Sequence, residues 1–460
     1  MSDSHESIDR IFPPVATADW EAQIRKDLKG ADYDKKLVWK TDEGIAVRPY
    51  YRSEHATRRE PIVAGPRSWV MAPPGDEPPL SVSVVEYHDQ GATAVQELAF
   101  ALAQGADLLA AGTPVTTVGV GIGSNYFIEI AKLRALRLVW AQVAEAFGAP
   151  AGIRIHARTG GEDKTLYDPY VNMLRVTTEA ISAIAGNCDS LTITPCLFDA
   201  HLAENVHHIL REESQLDKVA DPGAGSYSIE ALTDAVAADA WTLFQAIEAA
   251  DGWSTYRASG AADSAVATSR QARDEAVASR RRVLVGTNNY PNLQERELDA
   301  ADQMPGGWRL ASMFESIRLR TERHAKKAGR TPRVLLLERG DLSMRKARAA
   351  FCQNFFGCAG FEIVQRDTLG VEAEASPDSR LPDPARDEPY DLVVICSSDA
   401  EYLALAHEIC PKAAVPVIVA GNPKDQIDAL KAAGIADFVH VLSNAVDTLR
   451  FWQDRLGIGH

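Results

Sequence analysis

The sequence has no CxxC pair, no His/Cys spacing of the zinc type, and no apolar run approaching the roughly 18 residues needed to cross a bilayer. The first two absences exclude thioredoxin-type redox chemistry and a structural zinc. The third predicts no membrane span, since the longer apolar stretches are as short as Ala413 to Ala420 and Leu392 to Ile395. Cysteine is sparse, at 188, 196, 352, 358, 396 and 410, and is expected as reduced, mostly buried thiols. Positive charge is in deficit: 48 Lys+Arg stand against 64 Asp+Glu, a formal net charge of −16. With no basic patch to oppose that field, neither nucleic acid nor a membrane surface is an expected partner. The opening MSDSHESIDR lacks the basic-then-apolar run of a secretory leader, so the expected location is cytoplasmic.

What is present suits an α/β protein with sizeable cores. The 460 residues are 46% hydrophobic and 24% charged, a length for about two to four domains. Residues 1–80 read as an arm, with a helix over Asp19 to Leu28, a hairpin-like stretch over 36–49, and a Pro-rich connector at Ala72 to Pro79 that favours extended backbone. Over 81–250, β-branched segments alternate with helical ones, the pattern of βα units on a parallel sheet. Four units are predicted, with strands at Ser81 to Glu86, Thr117 to Gly121, Ile153 to Ala157 and Ser190 to Thr194. A closed barrel needs eight such units, so four leave two open edges that something must cover. Residues 251–330 read as a helical linker broken at 286–291 and at Pro305-Gly306-Gly307. From Arg333 five strands alternate with helices, which predicts a doubly wound domain over 331–460. The acidic, Pro-containing stretch 371–389 reads as a solvated insertion.

Several local patterns invite a chemical reading and are weighed against a structural one. His207-His208 with Glu212-Glu213 puts His208 and Glu212 on one helical face, but without a third ligand a solvated face is the expectation. Gly119-Val120-Gly121-Ile122-Gly123 lacks the spacing of a dinucleotide fingerprint. Asp221-Pro222-Gly223-Ala224-Gly225-Ser226 is a turn whose glycines permit positive φ. Arg280-Arg281-Arg282 is a basic run expected at a surface or interface rather than on a phosphate.

Longer stretches carry a resemblance. FPPV at 12–15 and DLKGADYDKKLVWKTDEGI at 27–45 lie in the arm; EYHDQGATAVQELAFALAQG at 86–105, GIGSNYFIEIAKLRALRLVW at 121–140, YDPYVNMLR at 167–175 and EESQLDKVADPGAGSYSIEALT at 212–233 lie among the βα units. In this order they resemble the acyl-CoA mutases dependent on adenosylcobalamin, above all the methylmalonyl-CoA mutase family. The resemblance implies a TIM-type barrel of eight βα units that holds the acyl-CoA, an N-terminal arm, and a C-terminal flavodoxin-like domain that holds cobalamin. In that family the stretch beginning Tyr-His opens the second half of the barrel. Here Pro79 leads almost directly into Tyr87-His88, so the first half looks absent and a truncated half barrel is expected.

The family's cobalt ligand is the His of Asp-x-His-x-x-Gly after the first strand of the C-terminal domain. The corresponding stretch here reads Glu338-Arg339-Gly340-Asp341-Leu342-Ser343-Met344-Arg345, without a His. Met344 is a soft thioether, but at the start of an amphipathic helix packing is the expectation. The turns Ser397-Ser398-Asp399 and Ala420-Gly421-Asn422 depart from the small-residue turns that surround the cofactor tail in the family. The implied reading is a small, non-catalytic subunit of a heterodimeric methylmalonyl-CoA mutase. Its chemistry, its adenosylcobalamin and its acyl-CoA would lie on a large partner subunit. Tyr87 and His88 are expected as vestigial counterparts of the pair whose His bonds the thioester carbonyl; no catalytic, cofactor-binding or metal-ligating residue is expected in this chain. The alternatives are a small subunit for isobutyryl-, 2-hydroxyisobutyryl- or ethylmalonyl-CoA, or a non-enzymatic CoA-ester-binding or scaffold module.

Overall fold

A computed structural model describes residues 15–55, 57, 60–63, 68–295, 304, 307–367 and 389–459. The FPPV stretch before Val15, Pro305-Gly306 and nearly all of the 371–389 insertion lie outside them. The arm begins with helix α1 (Thr17–Asp27) and α2 (Tyr33–Leu37), followed by a two-stranded antiparallel ribbon, β1 (Trp39–Lys40) and β2 (Ala46–Val47), in the predicted hairpin region. Neither helix buries a residue. The arm instead packs on itself, with Trp20 stacked on Tyr50 at 4.9 Å and Arg52 over the Trp20 ring.

The first sheet is parallel throughout. Its strands are β3 (Val70–Met71), β4 (Val82–Ser83), β5 (Thr117–Ile122), β6 (Arg154–Thr159) and β7 (Ser190–Thr192), in the spatial order β3-β7-β6-β5-β4. Four of these fall where strands were expected. The fifth, β3, corrects the count: the arm donates it to the edge beside β7, where Val70 pairs with Ser190. β7 is therefore not an edge: β3 takes that place, so the sheet still has two edges, β3 and β4, which are joined only by residues 72–81. β4 is also shorter than expected, because Val84 turns the chain into helix α3 (Val85–Asp89). Helices α4 (Ala94–Ala110), α5 (Tyr126–Ala146), α6 (Pro169–Ala185), α7 (Ala200–His208) and α8 (Tyr227–Ala249) complete this half. Local chemistry fixes their starts: Thr93 and Gln96 form a reciprocal capping box on α4, and Pro169 opens α6 where no amide partner is needed.

Helices α9 (Gly252–Ala258), α10 (Ala261–Ala278) and α11 (Ser312–Ala328) form the stretch read as a linker. The end of α10 and most of α11 pack into the second core through Val277, Phe314 and Ile317. Gln453 donates a 2.6 Å bond to the Ile317 carbonyl, tying α11 to the last helix.

The second sheet holds β8 (Arg333–Glu338), β9 (Glu362–Asp367), β10 (Leu392–Cys396), β11 (Val417–Ala420) and β12 (Ile435–Val439), parallel and ordered β12-β11-β10-β8-β9. Counted within the domain this is 2-1-3-4-5, a doubly wound order. Val334 and Leu336 face one core while Leu335 and Leu337 face the other, so the unbroken apolar run of β8 is a strand buried on both sides. Helices α12 (Leu342–Gly357), α13 (Tyr402–Ile409), α14 (Ile427–Ala432) and α15 (Ala445–Arg455) complete this half. Among the described residues no helix is long and apolar enough to cross a membrane.

Candidate functional site

At the carboxyl end of the first sheet, α3 places Tyr87 and His88 where barrel-type folds keep reacting groups. Tyr87 points into the core, edge-on to Phe100 and Trp253 at 5.2 and 5.6 Å. His88 is 3% exposed. Its Nδ1 lies 2.8 Å from Glu97 Oε1 of α4, while Nε2 has no hydrogen-bond partner among the described residues.

Glycines make room for this ring. A Cβ at Gly121 would fall 2.1 Å from His88 Cγ, at Gly160 2.5 Å from Nε2, and at Gly123 3.3 Å from Cε1. One strand position earlier on the same face, a Cβ at Gly119 would fall 2.6 Å from Leu80 of the connector. The alternating glycines of GVGIG thus form a trough along β5 that takes Leu80 and His88, the close approach that a glycine within a strand marks. Gly121→Ala would drive a methyl into the imidazole and break its bond to Glu97. We expect it to lower stability by about 1–3 kcal/mol, read as an earlier urea midpoint; an unchanged midpoint would remove the trough from the account.

Behind His88 lies a buried charge network. Lys132 Nζ of α5 donates to Glu97 Oε1 at 3.0 Å and to the Gly121 carbonyl at 2.8 Å, and sits 2.6 Å from Glu129. Burial pushes His88 down, but the Glu97 carboxylate more than offsets it and holds the ring above its usual value. Burial raises Glu97 in turn, and Lys132 and His88 outweigh that and keep it ionised. The Glu97 contact favours the protonated ring, in which the buried Nε2 is a hydrogen-bond donor.

Glu162 follows β6 and pairs with Arg273 at 2.8 Å, and Asp42 of the arm lies 2.9 Å from both Arg273 and Arg282. This cluster joins arm, first sheet and α10 beside a groove of about 680 Å³ lined by Trp39, Asp42, Phe127, Arg281 and Arg282. Sequence reasoning missed Asp42, Glu97, Lys132, Glu162 and Arg273 because most of their partners are distant in the chain. The basic run divides its work: Arg280 lies over the Phe351 and Phe355 rings of α12 and Arg282 holds Asp42, so it acts at contacts within the chain.

The other sequence candidates separate. His208 and Glu212 are both exposed, as expected of a solvated face, while the neighbouring His207 is 3% exposed and accepts a 3.0 Å bond at Nδ1 from Trp69 Nε1. Trp69, beside β3, covers the His207 side of the helix. Among the described residues no group of His, Cys, Asp and Glu is arranged to hold a metal. Five cysteines are buried and Cys410 is half-buried, all without disulfides; burial pushes the Cys188 and Cys358 thiols up to about 12. Asp221 of the DPGAGS turn pairs with Arg134 of α5 and accepts from Asn187 Nδ2 and the Ile62 amide. In the second half, Asp341 caps α12 by accepting the Met344 amide at 2.8 Å, and Met344 is half-buried on that helix.

A parallel βα sheet with a buried histidine at its strand ends, followed by a second parallel sheet of doubly wound order, defines an α/β protein of two parallel sheets. The family model described as methylmalonyl-CoA mutase matches residues 68–331, and the chain belongs to that family. It is 39% identical to the methylmalonyl-CoA mutase small subunit of Porphyromonas gingivalis over an alignment of 632 residues that covers all of both chains. It is 33% identical over 412 residues to the small subunit of Streptomyces virginiae, covering 82% of this chain and 64% of that one. The methylmalonyl-CoA mutase of Escherichia coli is 32% identical over 246 residues, 48% of this chain and 34% of its own length.

Proposed function

We propose that this chain is the small, non-catalytic subunit of a heterodimeric methylmalonyl-CoA mutase, supporting a large cytoplasmic partner that interconverts methylmalonyl-CoA and succinyl-CoA. The observation that carries this reading is the open sheet. Residues 72–81 join its two edge strands, leaving no length there for the units that would close a TIM-type barrel. The alignment of 632 residues against a chain of 460 supports the same point, since the relative has stretches without a counterpart here. Unpaired edge groups give association with a partner a driving force, and a chemistry of radicals needs an enclosure that an open sheet does not provide.

The second half suits a flavodoxin-like relative of a cobalamin-holding domain, but its residues do not fit the cofactor. Residues 338–345 offer no imidazole. Above the strand ends, Tyr402 is fully buried and donates to the Ala420 carbonyl. Arg348 donates to the same carbonyl at 2.7 Å and lies where a Cβ at Gly421 would meet it at 2.5 Å. These intrachain contacts at the strand ends support the reading that the domain does not take a cofactor tail there. Adenosylcobalamin and acyl-CoA accordingly belong to the partner in this reading.

Co-expression tests it. Expressed with the large subunit and given adenosylcobalamin, the tagged chain is expected to yield a one-to-one complex with mutase activity. Alone it should show neither turnover nor cobalamin binding by spectral titration. A stable, soluble monomer that binds cobalamin or turns over an acyl-CoA would overturn the proposal. A second reading, a module that itself holds a CoA ester, draws on the unpartnered His88 Nε2; saturable acyl-CoA binding by the isolated chain, lost in His88→Ala, would favour it.

A further inference from the structure

β3 is an edge of the first sheet, and little of its outer side is open. The Val70 and Ala72 amides donate to the Asp189 and Leu191 carbonyls at 2.9 and 3.0 Å, so in a parallel ladder Trp69, Met71 and Pro73 turn their backbone groups away from β7. The Trp69 carbonyl accepts from Arg211 at 2.6 Å. Pro73 has no amide, and its carbonyl accepts from the Asp76 amide at 2.9 Å. One backbone unit, the N–H and C=O of Met71, is left without a bond among the described residues, beside Val70, which is 54% exposed.

The edge runs into a cavity of about 250 Å³ walled by Met71, Pro73, Ile193, Pro195 and Ala203, with His207 among its lining residues. Sites for whole small-molecule ligands run to roughly 300–1,000 Å³; this one is of a size for a single side chain. His207 is the buried polar group in its wall. An indole N–H only donates, so with Nδ1 accepting from Trp69 the neutral imidazole carries its proton on Nε2. Burial, aided by Arg211, keeps the ring neutral. The Nε2–H has no partner among the described residues and calls for an acceptor from outside. Glu204, also at the cavity, opposes a carboxylate. The occupant is therefore a neutral apolar body with an acceptor oxygen at its tip, and the side chain that joins an apolar ring to such an oxygen is tyrosine.

We propose that the Met71 edge and this cavity form one docking point for the partner subunit, at which an extended segment of that subunit bonds to Met71 and seats a tyrosine against His207 Nε2. Strand addition takes affinity from main-chain bonds and selectivity from a side-chain pocket, and a single open backbone unit beside a single pocket fixes the register. The inference rests on the heterodimer proposed above and names a surface that joins it.

The test uses the full chain with its large subunit, and p-cresol as a stand-in for the tyrosine. Met71→Pro removes the outward amide and keeps the bonds to β7, a change that an edge strand tolerates; Ala203→Leu fills the cavity. Each is expected to fold and to weaken the complex by at least about tenfold, read as Kd by isothermal titration. On the isolated wild-type chain, p-cresol should bind saturably and raise the Tm, toluene less because it offers no acceptor, and Ala203→Leu should respond to neither. If both variants fold and bind the large subunit as tightly as wild type does, the docking point is wrong. If p-cresol and toluene act alike on wild type, or p-cresol binds Ala203→Leu equally well, no tyrosine is seated there. A wild-type chain that forms no complex would instead overturn the heterodimer, and this docking with it.

Discussion

Replacing Arg134 with methionine is expected to destabilise the first half of the molecule by about 3–5 kcal/mol, the cost of leaving buried charges without their partner. The guanidinium is fully buried in α5 and pairs with Asp221 and, at 2.9 Å, with Glu230. Both carboxylates are nearly inaccessible, at 2% and 1% exposure, so water cannot replace the lost cation. Asp221 also holds the Ile62 amide at 2.8 Å and Asn187 at 3.2 Å, which extends the damage to the arm and to the turn before β7. Arg25→Met is the control: its pair with Glu21 is 64% exposed on the arginine side, and exposed pairs contribute about 0–1 kcal/mol. Urea unfolding of the two variants separates these cases. Equal shifts would mean that the buried cluster contributes no more than a surface pair.

Acid should weaken the same half through His207. Burial, aided by Arg211, pushes this imidazole from 6.5 down to about 4, and its Nδ1 is committed as acceptor to Trp69. Between those values the unfolded chain takes up a proton that the folded one refuses. Stability is thus undiminished above pH 6.5, falls as the pH drops toward 4, and levels off below it, losing on the order of 3 kcal/mol. The loss is felt first at β3, which Trp69 anchors beside α7. Urea midpoints at pH 7 and pH 4.5 measure it. His207→Gln, which keeps an acceptor for Trp69 but cannot titrate, should show a smaller drop between the two pH values than wild type. Parallel drops would move the acid sensitivity elsewhere.

How much of this was legible depended on whether the signal was local. The second sheet was plain because RVLLLE and LVVIC are apolar runs bounded by turns, and doubly buried strands read that way. The capping box of α4 is visible in Thr93 and Gln96. β3 was not legible: two residues beside a proline run carry no periodicity, and only the register with β7 makes them a strand. The glycines of GVGIG were in view, but their spacing of two had to be recognised as one face of a strand. Lys132, Glu162 and Arg273 resemble solvated charges in a linear reading, and their burial rests in part on the Lys132–Glu97 and Arg273–Glu162 pairs, 35 and 111 residues apart. Likewise, the missing histidine near Asp341 was evident from sequence, whereas the bonds from Tyr402 and Arg348 to the Ala420 carbonyl required the fold.

The pairing of β3 with β7 has a consequence for synthesis. The bond from Thr192 to the Ala72 carbonyl spans 120 residues, and at about 5–20 residues per second a ribosome takes roughly ten seconds to supply them. Throughout that interval the emerging amino-terminal strand has no neighbour, and once β7 emerges its outer edge is open until β3 arrives. Any other chain being made nearby meets both surfaces before they meet each other. The timing of translation, and not only the finished surface, then governs which strand takes that edge.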